Sequence, residues 1–378
     1  MAEIDKLYHA LSKAIVEGGY VYQDGSRDVN CIQLTSANIE IGLTREFPLL
    51  TTKKMFTKAI VAELIWFLRG DSNIKYLVDN GVNIWNQDAY NYYKKACEYC
   101  NLKALNMEEF IKEVKEGTPT TFSDYPYFGD VGRNYGVQWR DWRGITEQNK
   151  VITKTVNLDQ ISILLDNLKA KLISRRHIVT AWNPTEIGET ALPACHWAFE
   201  ILPFPLKMYQ RITLSGQDLD YMHELYNNSV KNNSEEATKE LEDRLKDVPT
   251  YAFTLKWHQR SVDTFLGLPF NIASYGVLAM ILEGLTGFKA MGLIGDLSNV
   301  HFYETHIEAV KVQLENDPLK HSGCTIQFSE KVKSNFFSFR EGKLNFDGFI
   351  NAFEVEDIEF IDYESYESIK AEMLAPNT

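Results

Sequence analysis

Hydrophobic and polar positions along this chain follow two periods, one helical and one alternating, and together they divide it into elements. Residues 55–71, MFTKAIVAELIWFLRGD, place Ile60, Leu64 and Phe67 at helical spacing, with Gly70 where a C-terminal cap belongs. Glu63 shares that apolar face, so its carboxylate either snorkels outward or sits poorly solvated with a raised pKa. The N-terminal MAEIDKLYHALSKAIVEGG reads as an amphipathic helix closed by Gly18 and Gly19. HIVTAW (177–182), HWAFEIL (196–202) and TLKWHQRSV (254–262) are rich in β-branched and aromatic residues and read as strands. After Asn271 comes IASYGVLAMILEGLTG, nearly all apolar and ending at Gly287. A helix apolar on every side is buried, which puts this one at the centre of the fold. Helices packed on a mixed, largely antiparallel sheet make an α+β fold.

Two segments interrupt this pattern. In residues 101–119, Asn106 and Glu109 stand at capping-box spacing, and Gly117 with Pro119 supplies a stop. In residues 231–247, KNNSEEATKELEDRLKD, the pairs Glu235→Lys239, Glu240→Arg244 and Glu242→Lys246 describe a solvated helix. Both read as surface elaborations, inserted at about 89–128 and 204–250 into a single domain spanning residues 1–378. No internal repeat is visible.

Composition narrows the class. With 378 residues, 44% hydrophobic and 24% charged, the chain reads as a soluble globular protein. No uncharged apolar run reaches about 18 residues, so no membrane span is expected. The N-terminus lacks the basic-then-apolar pattern of a signal peptide and points to the cytoplasm. Five cysteines, at 31, 97, 100, 195 and 324, are an odd set that argues against a disulfide framework. Cys97 and Cys100 form a CxxC without a second pair at zinc-ribbon spacing, so they read as packing or surface residues and no metal is expected. A net charge of −13 counts against a nucleic-acid partner. Arginines that converge locally can still hold an anion.

Candidate chemistry lies where core elements meet turns. In ALPACHWAFE (191–200), Cys195 stands where a loop after Pro193 becomes a strand, a position that can present a side chain at a pocket rim. By itself it is either a small buried hydrophobe or a nucleophile. Arg175 and Arg176, just ahead of a strand, form either a fork for a dianion or a solvated edge.

Seven stretches taken together resemble the thymidylate synthase family, in its order and over nearly all of the chain outside the two insertions. They are FPLLTTKK (47–54), AELIWFLRGDSNI (62–74), NYGVQWR (134–140), SRRHIVTAWNP (174–184), ALPACH (191–196), QRSVDTFLGLPFNIASY (259–275) and GD…HFYETHIE (295–308). The resemblance implies an enzyme that makes dTMP from dUMP with 5,10-methylenetetrahydrofolate, and an obligate homodimer with shared active sites. Cys195 matches the thiol that adds to carbon 6 of the pyrimidine, with Arg260 as its cationic neighbour. Arg27, Arg260 and Ser261 match the phosphate ligands, joined by Arg175 and Arg176 from the second subunit. Asn271 matches the reader of the uracil edge; by position it also reads as the cap of the helix that it precedes. His301 and Tyr303 match the residues on the deoxyribose hydroxyl. Glu63 matches a glutamate that relays protons, Tyr135 a tyrosine involved in removing the carbon-5 proton, and Asp263 the aspartate on the pterin. His196 is assigned to a water network beside the nucleophile. Ile84, Trp85, Leu192, Leu266, Gly267 and Phe270 match an apolar wall for the folate.

Three departures from the family pattern bear on the product. Arg27 lies in DGSRDVNCI in place of a Gly/Thr-rich loop, Asn134 replaces an apolar residue before Tyr135, and the tail IKAEMLAPNT runs about three residues past the family's usual end. A dry, closed site delivers hydride and yields dTMP, whereas water entering it yields 5-hydroxymethyl-dUMP. Trp85 favours the hydride route; Asn134 and the longer tail favour water. A non-catalytic nucleotide- or RNA-binding homologue is the reading from another class. The intact Cys195, Glu63, Asp263 and Asn271 and the negative charge count against it.

Overall fold

The computed structural model describes residues 3–25, 29–122, 125–148 and 151–374. Alternating burial builds a seven-stranded sheet from β1 (Tyr20–Asp24), β2 (Val29–Gly42), β3 (Ile178–Thr180), β4 (His196–Pro205), β5 (Tyr251–Gln259), β6 (Val262–Asp263) and β7 (Lys289–Tyr303). The order is β1-β2-β7-β5-β4-β3, with the short β6 also paired to β7. β7 runs parallel to β5 and β6; the other pairs are antiparallel. The fold is therefore α+β with a mixed, largely antiparallel sheet. On β5, Phe253, Leu255 and Trp257 point into the core while Thr254, Lys256 and His258 face outward, half-buried. The outward face carries an ionic row, with His258 between Glu200 (3.2 Å) and Asp296 (3.0 Å). Ile178 and Trp197 lie exposed on strands β3 and β4.

The stretch 254–262 is not one strand. β5 stops at Gln259, the chain turns through Arg260 and Ser261, and Val262–Asp263 resumes beside β7. That turn is stabilised by hydrogen bonds from Arg260 to the loop before Cys195, so the break in the strand places the site.

Helices cover the inner face. α1 (Glu3–Gly18) and α2 (Thr57–Arg69) follow their sequence periods, and Gly70 caps α2 at a φ of 69°, which favours glycine. α3 (Asn86–Tyr99) and α4 (Met107–Glu116) lie in the segment read from sequence as the first insertion; the Asn106–Glu109 capping box is present, and Gly117 closes α4. This insertion is not a surface elaboration. Phe110 and Val114, one turn apart on α4, are fully buried and join Tyr93 and Tyr125 in the main core. α5 (Tyr135–Arg140) crosses α2 so closely that a Cβ on Gly136 would lie 2.5 Å from the Phe67 carbonyl oxygen.

The segment read from sequence as the second insertion carries α6 (Met208–Leu214), α7 (Leu219–Lys231) and α8 (Glu235–Arg244), packed on a small separate core of Ile212, Met222, Leu225, Ala237, Leu241 and Leu245. Its Glu240–Arg244 pair forms at 2.7 Å, but Lys246 pairs with Asp243 at i,i+3. α9 (Gly267–Thr286) is the buried central helix. It is the helix among the described residues that is long and apolar enough to cross a membrane, and 67% of its most apolar window is buried inside the protein. α9 begins four residues before Asn271, so Asn271 does not cap it. Pro269 falls in the first turn, where a missing N–H costs no helical hydrogen bond.

Candidate active site

Cys195 is the last loop residue before β4, and its side chain is half-buried. Its backbone N–H donates to the Tyr135 hydroxyl at 2.7 Å. Arg260 then fixes three consecutive carbonyls of the loop. Its backbone N–H donates to Cys195 O (2.8 Å), Nε to Ala194 O (2.9 Å) and Nη2 to Pro193 O (2.9 Å). The guanidinium also lies over the Trp182 ring, 5.2 Å from its centroid. A cation thus sits against the segment that presents the thiol, with other guanidinium N–H groups still available for an anion.

Behind the thiol is an aromatic stack. Tyr135 packs on Phe67 (4.8 Å between centroids) and on His196 (4.3 Å). The close α2–α5 crossing at Gly136 sets this arrangement. His196 Nδ1 lies 2.9 Å from the Tyr275 hydroxyl, and burial pushes its pKa down to about 3, leaving a neutral ring. Burial holds the Tyr135 phenol well above its ordinary range, with the nearby Cys195 and Glu63 adding to the effect. Glu63 accepts from Trp85 Nε1 at 2.7 Å; burial raises its pKa to about 7, while the indole pulls the other way. Of the two readings open to Glu63, the poorly solvated one holds.

A chain of amides runs from the end of β5 to α9. Trp257 Nε1, which can only donate, bonds to Gln259 Oε1 at 3.3 Å. Gln259 Nε2 is therefore directed onward, to Asn271 Oδ1 and Ser261 O, each at 3.1 Å. The Oδ1 of Asn271 is thus engaged, and its NH₂ is not part of this chain. Asp263 Oδ1 accepts from the N–H groups of Phe265 and Leu266, both at 3.0 Å, and pairs in register with His301 across β6 and β7. A Cβ on Gly267 would lie 3.6 Å from Asp263 Cβ and 3.8 Å from Asn271 Oδ1, so these three share one corner. His301 is buried with Nδ1 on Asn299 O at 2.7 Å, and Tyr303 packs edge-on to it at 4.9 Å.

Two residues of this site had no role assigned from sequence. One is Gln259, inside QRSVD. The other is Lys53, inside TTKK, which is buried, donates to Phe265 O and lies over the Phe265 ring. Burial lowers its pKa to about 7, opposed by the charge of Asp263. The doubled lysine closing an apolar motif was the available signal.

Ile84, Leu192, Leu266 and Phe270 are each partly exposed and packed against the core, as expected of a cleft wall. Trp85 is buried and edge-on to Trp66 at 5.2 Å. Arg175 and Arg176 are exposed ahead of the edge strand β3 and make no side-chain hydrogen bond or ion pair among the described residues. Arg27 and the last four residues of the tail lie outside the described residues. Asn134 is buried with both amide atoms unpartnered among the described residues, and it lines a small cavity with Gln138, Leu192, Pro193 and Ala194. A separate cavity of about 790 Å³ is lined by residues such as Asp130, Arg133, Asp141 and Arg143 and by none of the site residues. Among the described residues no cluster of three His, Cys, Asp or Glu side chains is placed to hold a metal.

The family model described as thymidylate synthase matches residues 6–217 and 236–375. The thymidylate synthase of Malacoplasma penetrans strain HF-2 is 34% identical over 368 residues, covering 97% of this chain and 99% of its own length. That of Mycoplasma mobile is 32% identical, covering 97% of this chain and 98% of its own length. That of Staphylococcus haemolyticus is 31% identical, covering 97% of each. The chain belongs to the thymidylate synthase family, and it is an enzyme.

Proposed function

We propose that the enzyme makes dTMP from dUMP by reductive methylation, with 5,10-methylenetetrahydrofolate as co-substrate and Cys195 as covalent nucleophile. The observation that carries this reading is the Arg260 clamp, which sets a cation against the loop bearing a half-buried thiol. Positive charge favours the thiolate, which adds to carbon 6 of uracil and makes carbon 5 nucleophilic. The co-substrate supplies the one-carbon unit and the hydride when bound.

The other residues then have defined tasks. Arg260 and Ser261 hold the phosphate, with Arg27 beside them and Arg175 and Arg176 reaching in from a second copy. Asn271 donates its NH₂ to the carbon-4 oxygen, an orientation fixed through Gln259. His301 and Tyr303 hold the deoxyribose hydroxyl. Glu63, poised near neutrality, exchanges a proton with the carbon-4 oxygen through water. Tyr135 stays a neutral hydroxyl that relays the carbon-5 proton, and His196, also neutral, buttresses its ring and orders nearby water. Asp263 receives the pterin, with Lys53 holding its loop from behind. Ile84, Leu192, Leu266, Gly267 and Phe270 form the stacking wall, and Trp85 fixes both Glu63 and the wall. The working unit is a homodimer of single-domain subunits in which a second copy covers the outward sheet face.

The test follows dihydrofolate absorbance and product mass together, with dUMP and 5,10-methylenetetrahydrofolate as substrates. Dihydrofolate appearing with dTMP supports the proposal. A hydroxymethylated nucleotide without dihydrofolate overturns the methyl product, an outcome that the buried amide of Asn134 makes worth reading. 5-Fluoro-dUMP with the same folate must add covalently to Cys195; binding without a mass shift overturns the enzymatic assignment of that thiol.

A further inference from the structure

The N-terminal helix buries a carboxylate that the proposed reaction does not use. Asp5 sits in the first turn of α1 and is fully buried. A carboxylate taken out of water is costly unless donors surround it. Here one turn, Thr51–Thr52, supplies four of them. Thr51 N–H lies 3.1 and 3.0 Å from the two carboxylate oxygens, and Thr52 N–H lies 3.1 Å from Oδ1. The hydroxyls of Thr51 and Thr52 donate at 2.8 and 2.9 Å. Burial raises the pKa of Asp5, and these donors pull the other way. Hydrogen bonds to a charged acceptor are the strong ones, so this turn is fixed to α1.

The next residue is Lys53, whose side-chain nitrogen donates to Phe265 O and lies over the Phe265 ring. Phe265 is thereby held at both ends, its carbonyl by Lys53 and its N–H by Asp263 Oδ1 at 3.0 Å. A second route joins the same two turns. Gln313 of α10 (Ile307–Glu315) donates Nε2 to Thr52 Oγ1 at 3.1 Å. Its Oε1 lies 3.4 Å from the Tyr8 hydroxyl, which donates to Thr264 O at 2.9 Å. Asp5, Tyr8, Thr51, Thr52, Thr264 and Gln313 are all buried. A buried polar network with its members satisfied is rigid.

We propose that Asp5 is a positioning residue for Asp263. It locks the Thr51–Thr52 turn, and that turn holds the 264–265 backbone through Lys53 and Gln313, which sets the direction of the Asp263 carboxylate. The part played in the reaction rests on Asp263 receiving the pterin, as proposed above; the lock itself does not.

The experiment compares the full-length parent with Asp5→Asn, which keeps the shape but turns an NH₂ toward these donors, and with Thr51→Val, a milder change that removes one donor. Met222→Ala, in the separate small core, serves as a control for lost stability, and Asp263→Asn as a reference for the pterin contact. Melting curves establish folding. The first readout is amide hydrogen exchange of the peptide spanning residues 49–54. Exchange at Thr51 and Thr52 should be about tenfold faster in Asp5→Asn, the worth of one hydrogen bond to a charged group, and faster also in Thr51→Val. Exchange equal to the parent's in both overturns the lock, whether or not the protein turns over. The second readout is KM. Asp5→Asn should raise KM for the folate about tenfold and leave KM for dUMP within about twofold, with Met222→Ala changing neither. An equal rise in both KM values, or the same rise in Met222→Ala, marks general loss of stability and overturns the positioning role. Folate KM raised by Asp263→Asn but not by Asp5→Asn overturns it as well. If Asp263→Asn also leaves folate KM unchanged, the pterin reading of Asp263 falls, and the positioning role falls with it.

Discussion

At the scale of single residues, two polar groups beside the nucleophile loop carry sharp consequences. Glu63 has an ordinary pKa of 4.5 raised to about 7 by burial. Between those values the folded protein keeps a proton that the unfolded chain has lost, so stability falls as pH rises through the window. The effect is at most about 3 kcal/mol, and Glu63→Gln removes it. Thermal melts at pH 5 and pH 8 should therefore show the variant gaining on the parent as pH rises. The kinetic limb near pH 7 should vanish with it; an unchanged pH profile would take Glu63 out of proton transfer. In the function proposed above, Gln259 acts on specificity by one remove: its amide is oriented by a donor-only indole and bonds in turn to Asn271 Oδ1, the proposed reader of the base. Gln259→Leu frees Asn271 to flip. Discrimination of dUMP against dCMP, read as the ratio of their binding constants, should then fall by about tenfold, the worth of one hydrogen bond.

At the scale of elements, the α2–α5 crossing positions Tyr135. Alanine at Gly136 drives a methyl into the Phe67 backbone, which has no rotamer to move aside. Gly136→Ala should cost about 3 kcal/mol and lower kcat sharply. Gly18→Ala, with nothing within 4 Å of the added Cβ, should change stability by less than about 0.5 kcal/mol. Urea melts on both decide the matter. The elements themselves were legible where period and punctuation agreed, as in α2 with Gly70 or α4 with its capping box. The start of α9 was not, because Gly-Leu-Pro-Phe resembles a turn, and only the tertiary position reveals that Pro269 occupies a first turn. The burial of α4 was half legible. Phe110 and Val114 mark an apolar stripe in sequence, but their partner, Tyr93 of α3, lies on another element. Family motifs supplied most of the candidate site residues. They could not disclose the role of Lys53, because the cover over a lysine is set by Phe265 from far along the chain.

At the scale of the whole molecule, the proposed function requires a chain of net charge −13 to hold a nucleotide dianion, and Arg260 is the cation that it sets beside the Cys195 loop. Arg175 and Arg176 stand exposed ahead of the sheet edge, on the side where Ile178 and Trp197 leave apolar surface open. A second copy across that face would bury the apolar strip and bring the arginine pair toward a phosphate, so one arrangement accounts for both features. The consequence is complementation. A Cys195→Ser variant retains the arginines, and an Arg175→Ala, Arg176→Ala double variant retains the thiol, so each alone should be nearly inactive. Unfolded together and refolded at equal amounts, random pairing gives half heterodimers, each with one complete site. Activity should recover to about a quarter of the parent's. Recovery must coincide with dimeric mass in sedimentation. If mixing restores nothing while both variants remain dimeric, the arginine pair serves its own subunit or none.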